Sequence, residues 1–258
     1  MKILKIIFIS DFHLIKDNSF LGIDTFKSLE GVIIHILKNQ NNYKYIFLLG
    51  DFVQDQKDES FKFLNDQLSN LNAKKIFIRG NHDTRNKLPI KDFKEKNNKI
   101  VVNNWAILQL TSYKQNKIYG EVTKKDLEEV KNFFQNNRNL NGLLYMHHNL
   151  FKTDSPWLDI HITKNFQYIR NELSKIENLK LVISGHVHQF TKNIINGTTF
   201  ITIPSTSAQF KNSTEKFTLD SINPGYMRFD LKKDGNFNFK TFRISGFYGN
   251  IEKNPKPY

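Results

Sequence analysis

Residues 3–13 read Ile-Leu-Lys-Ile-Ile-Phe-Ile-Ser-Asp-Phe-His, an apolar run of strand length that ends on an aspartate and a histidine two residues apart. The same figure recurs four times. Runs at 45–49, 75–78, 143–146 and 179–183 lead into Gly50-Asp51, Gly80-Asn81-His82-Asp83, His147-His148 and Gly185-His186-Val187-His188. Short apolar runs separated by segments of helical period predict an α/β fold. In an open α/β sheet the ligand crevice lies beyond the carboxyl ends of the strands, so the five junctions are expected to converge there. Six of the eight histidines sit at these junctions, and only His35 and His161 lie elsewhere.

The spacing points the same way. Asp11 with His13, and His186 with His188, stand at i and i+2, which extended backbone projects to one side. Helical ligand pairs would need i+3 or i+4. Gly50, Gly80 and Gly185 admit unusual backbone angles and close approach to an ion or phosphate. Any one junction also reads as a turn with a capped carboxylate; five at strand ends read together as a site. The chain has no cysteine, which excludes disulfides, thiolate zinc sites and a cysteine nucleophile. A metal must then be held by His, Asp, Glu or Asn, a harder ligand set that points toward iron or manganese.

Asp24 or Thr25 is expected to cap a helix carrying Phe26, Leu29, Ile33 and Ile36 on one face. Thr123 and Asp126 match a capping box ahead of Leu127, Val130 and Phe134, and Phe166, Ile169, Leu173 and Ile176 mark a third stripe. All three stripes read as core packing. Asn196-Gly197 and Asp234-Gly235 each divide two strand-like runs, predicting hairpins with type I′ turns and, from them, a second sheet. With no linker or repeat, residues 1–249 are expected to form one domain, and residues 250–258, with Pro255 and Pro257, a frayed tail.

Lys and Arg number 38 against 25 Asp and Glu, a formal charge of +13. The lysines are scattered among asparagines, which argues against a nucleic-acid groove. The opening residues resemble the start of a signal peptide, but Lys5 breaks the run and no small-residue cleavage site follows. No apolar stretch approaches the length of a bilayer span. A cytoplasmic protein with no membrane partner is expected.

Asp11-Phe12-His13, Gly50-Asp51, Gly80-Asn81-His82-Asp83, His147-His148 and Gly185-His186-Val187-His188 resemble, in order, the five signature blocks of the calcineurin-like metallophosphoesterases. Residues 50–55, 157–161, 204–210, 217–220 and 224–226 are similar to the bacterial class III 3′,5′-cyclic AMP phosphodiesterases of that superfamily. Asn149 stands where the family tends to have proline. The resemblance implies a four-layer αββα sandwich of two mixed sheets flanked by helices, and a two-metal centre. Asp11, His13 and His188 would hold one ion, Asn81, His147 and His186 the other, and Asp51 would bridge both. His82 would be the catalytic residue beside the phosphoryl group, with Asn81 and His188 also on the substrate.

Two ions about 3.5 to 4 Å apart would lower the pKa of a bridging water, supply hydroxide at neutral pH and clamp phosphoryl oxygens. His82 can then neutralise equatorial oxygens or protonate the leaving alkoxide, oriented by Asp55 or Asp83. Trp157 reads as a loop aromatic able to stack on a base, or as core; Phe210 is a similar candidate, or a core or lid residue, and His161 is a second substrate-side candidate. His148 reads as a packed, hydrogen-bonding histidine, and His35 as structural.

The activity expected is hydrolysis of 3′,5′-cyclic AMP to 5′-AMP, with two metal ions as cofactor, iron or manganese first, and a cyclic nucleotide as the small-molecule partner. The alternatives are another cyclic nucleotide, a small phosphodiester, a lipid-linked pyrophosphate or a nucleic acid as substrate, or a non-catalytic scaffold. A lipid substrate calls for a long amphipathic insertion and a nuclease for a basic stripe, and the sequence offers neither. A scaffold should have lost ligands, whereas all seven positions carry competent side chains.

Overall fold

Successive residues of β1 (Leu4–Ile9) enter different cores: Leu4, Ile6 and Phe8 on one face, Ile7 and Ile9 on the other. A strand apolar on both faces must be covered on both. The computed structural model, which describes residues 3–252 apart from 87, 94–97 and 247, shows how. The chain continues through α1 (Thr25–Asn39), β2 (Tyr43–Leu48), α2 (Asp58–Ser69), β3 (Lys74–Phe77), β4 (Lys99–Val102) and β5 (Trp105–Gln109). Next come α3 (Lys124–Asn136), β6 (Asn141–Met146), α4 (Pro156–Asp159), α5 (Phe166–Leu173) and β7 (Leu179–Ser184). The last strands are β8 (Thr191–Ile195), β9 (Thr198–Thr202), β10 (Gln209–Phe210), β11 (Leu219–Asp220), β12 (Gly225–Leu231) and β13 (Phe237–Arg243).

Two mixed sheets result, ordered β13-β12-β1-β2-β3 and β4-β5-β6-β7-β9-β8, with β10 and β11 as a small separate pair. Phe8, Phe47 and Phe229 of one sheet meet Tyr145, Leu181 and Ile201 of the other in the central core. Ile7, Leu48 and Phe77 pack beneath Leu29, Ile33, Phe61 and Leu64 of α1 and α2. Leu144, Val182 and Phe200 pack beneath Phe134 of α3 and Ile169 and Leu173 of α5. The layers are therefore αββα. Strands β1, β2 and β3 run parallel, as do β6 and β7, which gathers their carboxyl ends at one edge of the sandwich.

The helix starts follow the sequence. Asp24 caps α1 by accepting from the Lys27 N–H at 3.1 Å, and Thr123 and Asp126 bond each other's N–H groups in a reciprocal capping box. Helix α5 ends at Leu173, so Ile176 reaches the same core from beyond it.

The hairpins depart from expectation in two ways. At Asn196 (φ +48°) and Gly197 (φ +81°) both turn residues are left-handed, as a type I′ turn requires. At the second hairpin the pairing of Leu231 with Phe237 leaves five residues between the strands. There Gly235 (φ +91°) alone is left-handed; its N–H donates to Lys232 O and the Lys232 N–H to Asn236 O. That is the three-residue loop closed by a glycine bulge. Nor do the hairpins build a sheet of their own. β9 extends the second sheet beside β7, and β12 pairs antiparallel with β1 in the first, covering an edge that β1 would otherwise expose.

Of the tail, residues 253–258 lie outside the described residues; Ile251 packs on the cluster containing Phe20 and Leu158, and the Glu252 N–H donates to Leu21 O. Among the described residues no helix is long and apolar enough to cross a membrane.

Candidate metal centre

The five junctions do converge. The Asp11 N–H donates to Gly50 O at 3.1 Å and the His13 N–H to Asp51 O at 2.8 Å, zipping the loop after β1 to the loop after β2. From the other sheet, the Gly185 N–H donates to His147 O at 2.9 Å, and the His186 N–H meets both carboxylate oxygens of Asp11 at 3.1 and 3.2 Å.

How the paired residues reach the site differs from the extended backbone expected. Asp11 (φ +56°), His13 (φ +43°), Asp51 (φ +55°), His186 (φ +67°) and His188 (φ +53°) are all left-handed. They lie just past the strand ends, where the chain must turn sharply to stay over the sheet edge. Non-glycine residues in this region cost on the order of 1 to 3 kcal/mol each, so the surrounding bonds must hold them there. Ser205 and Ser207 do so for Asp11, both hydroxyls donating to its carbonyl, at 2.7 and 2.9 Å. Of the three junction glycines only Gly50 (φ +89°) is left-handed. Gly80 and Gly185 serve close approach instead: a Cβ on Gly80 would overlap the Asp51 carboxylate and the His147 ring, and one on Gly185 the Ser10 hydroxyl.

The histidine tautomers follow from their partners. The Nδ1–H of His13 donates to Gln54 Oε1 (2.8 Å), that of His147 to Leu49 O (2.5 Å) and that of His188 to Ala208 O (2.8 Å). Each Nε2 lone pair is thereby turned into the cluster. His13 Nε2 lies 3.1 Å from His188 Nε2, and His147 Nε2 lies 3.1 Å from Asn81 Oδ1. Asp51 Oδ2 stands between the two groups, 3.3 Å from His147 Nε2 and 3.6 Å from His13 Nε2. The Nε2 of His186 is buried with no hydrogen-bond partner among the described residues. Acceptors facing acceptors, an orphaned imidazole nitrogen and outward-anchored Nδ1–H groups are the donor arrangement of a cation site, and the residues present fit metal ions. The ligand atoms of Asp11, His13 and His188 lie within 4.8 Å of one another, as do those of Asp11, Asp51 and His147.

The electrostatics agree. Burial pushes Asp11 up to about 7 and His13 down to about 3, and burial, then neighbouring imidazoles, hold His186 and His188 well below the usual imidazole range. Burial also opposes ionisation of Asp51, but His147 and His82 outweigh it and keep that carboxyl well below the ordinary range. In turn Asp51 lifts His147 to about 9 against its own burial. The raised value marks where the buried carboxylate calls for positive charge, and metal ligands are deprotonated when an ion binds.

His82 lies at the edge of the cluster. Its N–H donates to Asp51 Oδ1 at 2.8 Å, its ring sits 4.9 Å from that of His13, and burial lowers its pKa. The two carboxylates considered as its orienters hold backbone: Asp83 accepts from the N–H groups of Gly80, Asp51 and Phe52, and Asp55 from those of Lys16 and Lys57. His148 is packed and hydrogen-bonded. Its Nε2–H donates to Ile118 O at 3.0 Å, its Nδ1 accepts from the Ser112 hydroxyl at 2.9 Å, and burial holds its pKa far down. Both ring nitrogens being used, it ties the loop bearing Ile118 to the neighbouring His147.

Trp157, expected in a loop, is the second residue of the short helix α4, after Pro156 at its first position. With His161, Phe210 and Phe217 it lines a cavity that opens onto Asp51, Asn81, His82 and His186. Phe210 is buried and stacks on His188, rings 4.1 Å apart and 5° from parallel; Phe20 stacks on His13 in the same way, at 4.2 Å and 2°. Among the substrate-side candidates, His188 does not line this cavity. Reading of the sequence missed Gln54, Phe20, Ser112, Ile118, Ser205 and Ser207. None is of a ligand type, though Gln54 and the two serines lie within the stretches that carry the family likeness.

This fold, with this cluster at the strand ends, defines a class. The profile of the calcineurin-like phosphoesterases matches residues 4–190, and the chain belongs to that family. It is 29% identical to a 3′,5′-cyclic adenosine monophosphate phosphodiesterase, CpdA, of Haemophilus influenzae, over 97% of this chain and 94% of that one. It is 28% identical to the protein of the same name from Escherichia coli, over 93% and 90%. A dimetal phosphatase from Danio rerio shares the fold, with a TM-score of 0.67, 11% identity and coverage of 94% and 99%.

Proposed function

We propose that this chain is a metal-dependent phosphodiesterase that hydrolyses 3′,5′-cyclic AMP to 5′-AMP in the cytoplasm. The observation that carries the reading is the buried cluster of inward-turned imidazole nitrogens around Asp51, opening onto a cavity with an aromatic wall. The relatives named as cyclic AMP phosphodiesterases along nearly their whole length support the substrate.

In this reading Asp11, His13 and His188 would hold one ion and Asn81, His147 and His186 a second, with Asp51 between the two sets, and iron or manganese suit such donors. Bound ions of this kind supply Lewis acidity, lowering the pKa of water and neutralising charge on phosphoryl oxygens. Gln54, Leu49 and Ala208 hold His13, His147 and His188 in the required tautomer. Water adds to phosphorus, the P–O3′ bond breaks, and the 3′-oxygen leaves with a proton. His82, at the cavity edge, offers a ring N–H to an equatorial phosphoryl oxygen or to that leaving oxygen. Trp157 and His161 flank the base.

The test is a panel of cyclic AMP, cyclic GMP, bis(p-nitrophenyl) phosphate and single-stranded DNA assayed with metal-stripped and metal-restored protein. Metal-dependent release of 5′-AMP supports the reading. Faster cleavage of DNA, falling steeply with salt, would replace it with a nuclease.

A further inference from the structure

Residues 205–210 contain no candidate ligand, yet they grip two members of one ligand set. The Ser205 and Ser207 hydroxyls both donate to Asp11 O, Ala208 O accepts the His188 Nδ1–H, and the Phe210 ring stacks on the His188 imidazole. Gln209 ties the segment together. Its side chain is buried, and its Nε2 donates to Ser205 O at 2.8 Å and Ser207 O at 2.9 Å, the carbonyls of the two serines that hold Asp11. The Gly225 N–H also reaches Ser205 O, at 3.0 Å. On its other side Gln209 Oε1 accepts from Arg243 Nη1 at 2.6 Å, and the same nitrogen donates to Asn223 O at 2.9 Å. This arrangement admits one orientation of the amide, because two carbonyl oxygens face its nitrogen and a guanidinium faces its oxygen. Turned over, it would set oxygen against oxygen and an N–H against a cation. Arg243 is the last residue of β13, on the outer edge of the first sheet, and is partly exposed.

Resting on the ion assignment proposed above, we propose that Gln209 and Arg243 are positioning residues for the ion that Asp11, His13 and His188 would hold. Arg243 fixes the amide, the amide fixes the two serine carbonyls, and the serine hydroxyls hold Asp11 in a left-handed conformation (φ +56°) that costs energy to keep. The same segment places Ala208 O, which sets the tautomer of His188. Removing the Arg243 donor leaves a buried amide oxygen unpaired, which favours turning the amide and releasing both carbonyls. A cation at the sheet edge thus reaches a ligand residue through three successive hydrogen bonds, without touching ion or substrate. The second set is anchored elsewhere: His147 donates to Leu49 O, and His186 follows β7.

The test titrates metal-stripped protein with manganese against a competing chelator and reads bound metal per chain for wild type, Arg243→Met, Arg243→Lys and Gln209→Met. Urea midpoints of the stripped proteins are measured alongside. Arg243→Met and Gln209→Met are expected to weaken one ion by about 10- to 100-fold, the usual loss when an outer partner of a metal ligand is removed, and the other much less. Arg243→Lys, which keeps a cationic donor for the amide oxygen, is expected to recover most of that loss. Equal weakening of both ions overturns the proposal, as does a lowered urea midpoint with both affinities unchanged, or a lysine variant as weak as the methionine one. Should Gln209→Met not fold, the two Arg243 variants decide alone. Wild type that binds two ions and leaves cyclic AMP intact removes the phosphodiesterase reading and not this one; wild type that binds fewer than two ions overturns both.

Discussion

His13 and His188 meet Nε2 to Nε2 at 3.1 Å while their Nδ1–H groups donate away from the contact, to Gln54 Oε1 and Ala208 O. Two lone pairs cannot bond each other, so the contact is stable only with positive charge beside it. Gln54→Leu removes one anchor without touching a ligand. Metal affinity is expected to fall by about 10- to 100-fold, as when other hydrogen-bond partners of metal-bound histidines are removed. Titration of the stripped variant checks this, and unchanged affinity would show that the amide does not set the His13 tautomer.

Ser112 links His148 to the loop that carries Ile118. Ser112→Ala leaves the buried Nδ1 and N–H of His148 without that partner, a loss of about 1 to 3 kcal/mol. Urea unfolding should show the loss while elemental analysis finds the metal content unchanged. Loss of an ion with the hydroxyl would make His148 part of the ligand set.

His82→Ala should retain both ions and lose roughly 10² to 10⁴ in rate, the span of a general acid or base. Equal loss of metal and rate would instead make His82 a ligand beside His13 and Asp51, with which it is grouped.

His35 supplies a pH dependence remote from the centre. Gln40 Nε2 donates to the Tyr226 hydroxyl at 2.8 Å, which leaves the Tyr226 O–H to donate to His35 Nδ1 at 2.9 Å. That bond requires neutral imidazole, and burial lowers the pKa of His35 below 6.5. The unfolded chain then binds the proton more readily. The contribution is complete above pH 6.5 and is lost as pH falls through the folded-state value. Urea midpoints of wild type and His35→Gln should therefore converge as the pH falls from neutral to below 6.5. Parallel curves would remove His35 from the account.

Much of the site was legible because ligand-type residues stood at the ends of apolar runs, and strand ends are where an α/β sheet places ligands. Backbone conformation was not. Asp11 and His13 would have shared a side in a strand, yet reach the same place through left-handed turns that no residue type announces. Helix α2 went unread although Phe61, Leu64 and Leu68 have helical spacing, and so did β4 and β5, joined at Asn103 (φ +54°) and Asn104. The hairpins were readable locally, but which sheet each joins depends on the open edges of β1 and β7, a long-range matter. His148 read as a packed, hydrogen-bonding residue, but its partners Ser112 and Ile118, some thirty residues away, could not be named from spacing.

The central claim is that Asp51 serves two ions at once and that cyclic AMP hydrolysis depends on both. The direct test titrates stripped protein with manganese while following bound metal per chain and release of 5′-AMP from cyclic AMP. The account predicts no hydrolysis in stripped protein, recovery as two ions bind per chain, and neither pair binding nor recovery in Asp51→Ala. Full hydrolysis without metal, or a full rate with one ion bound per chain, would contradict it.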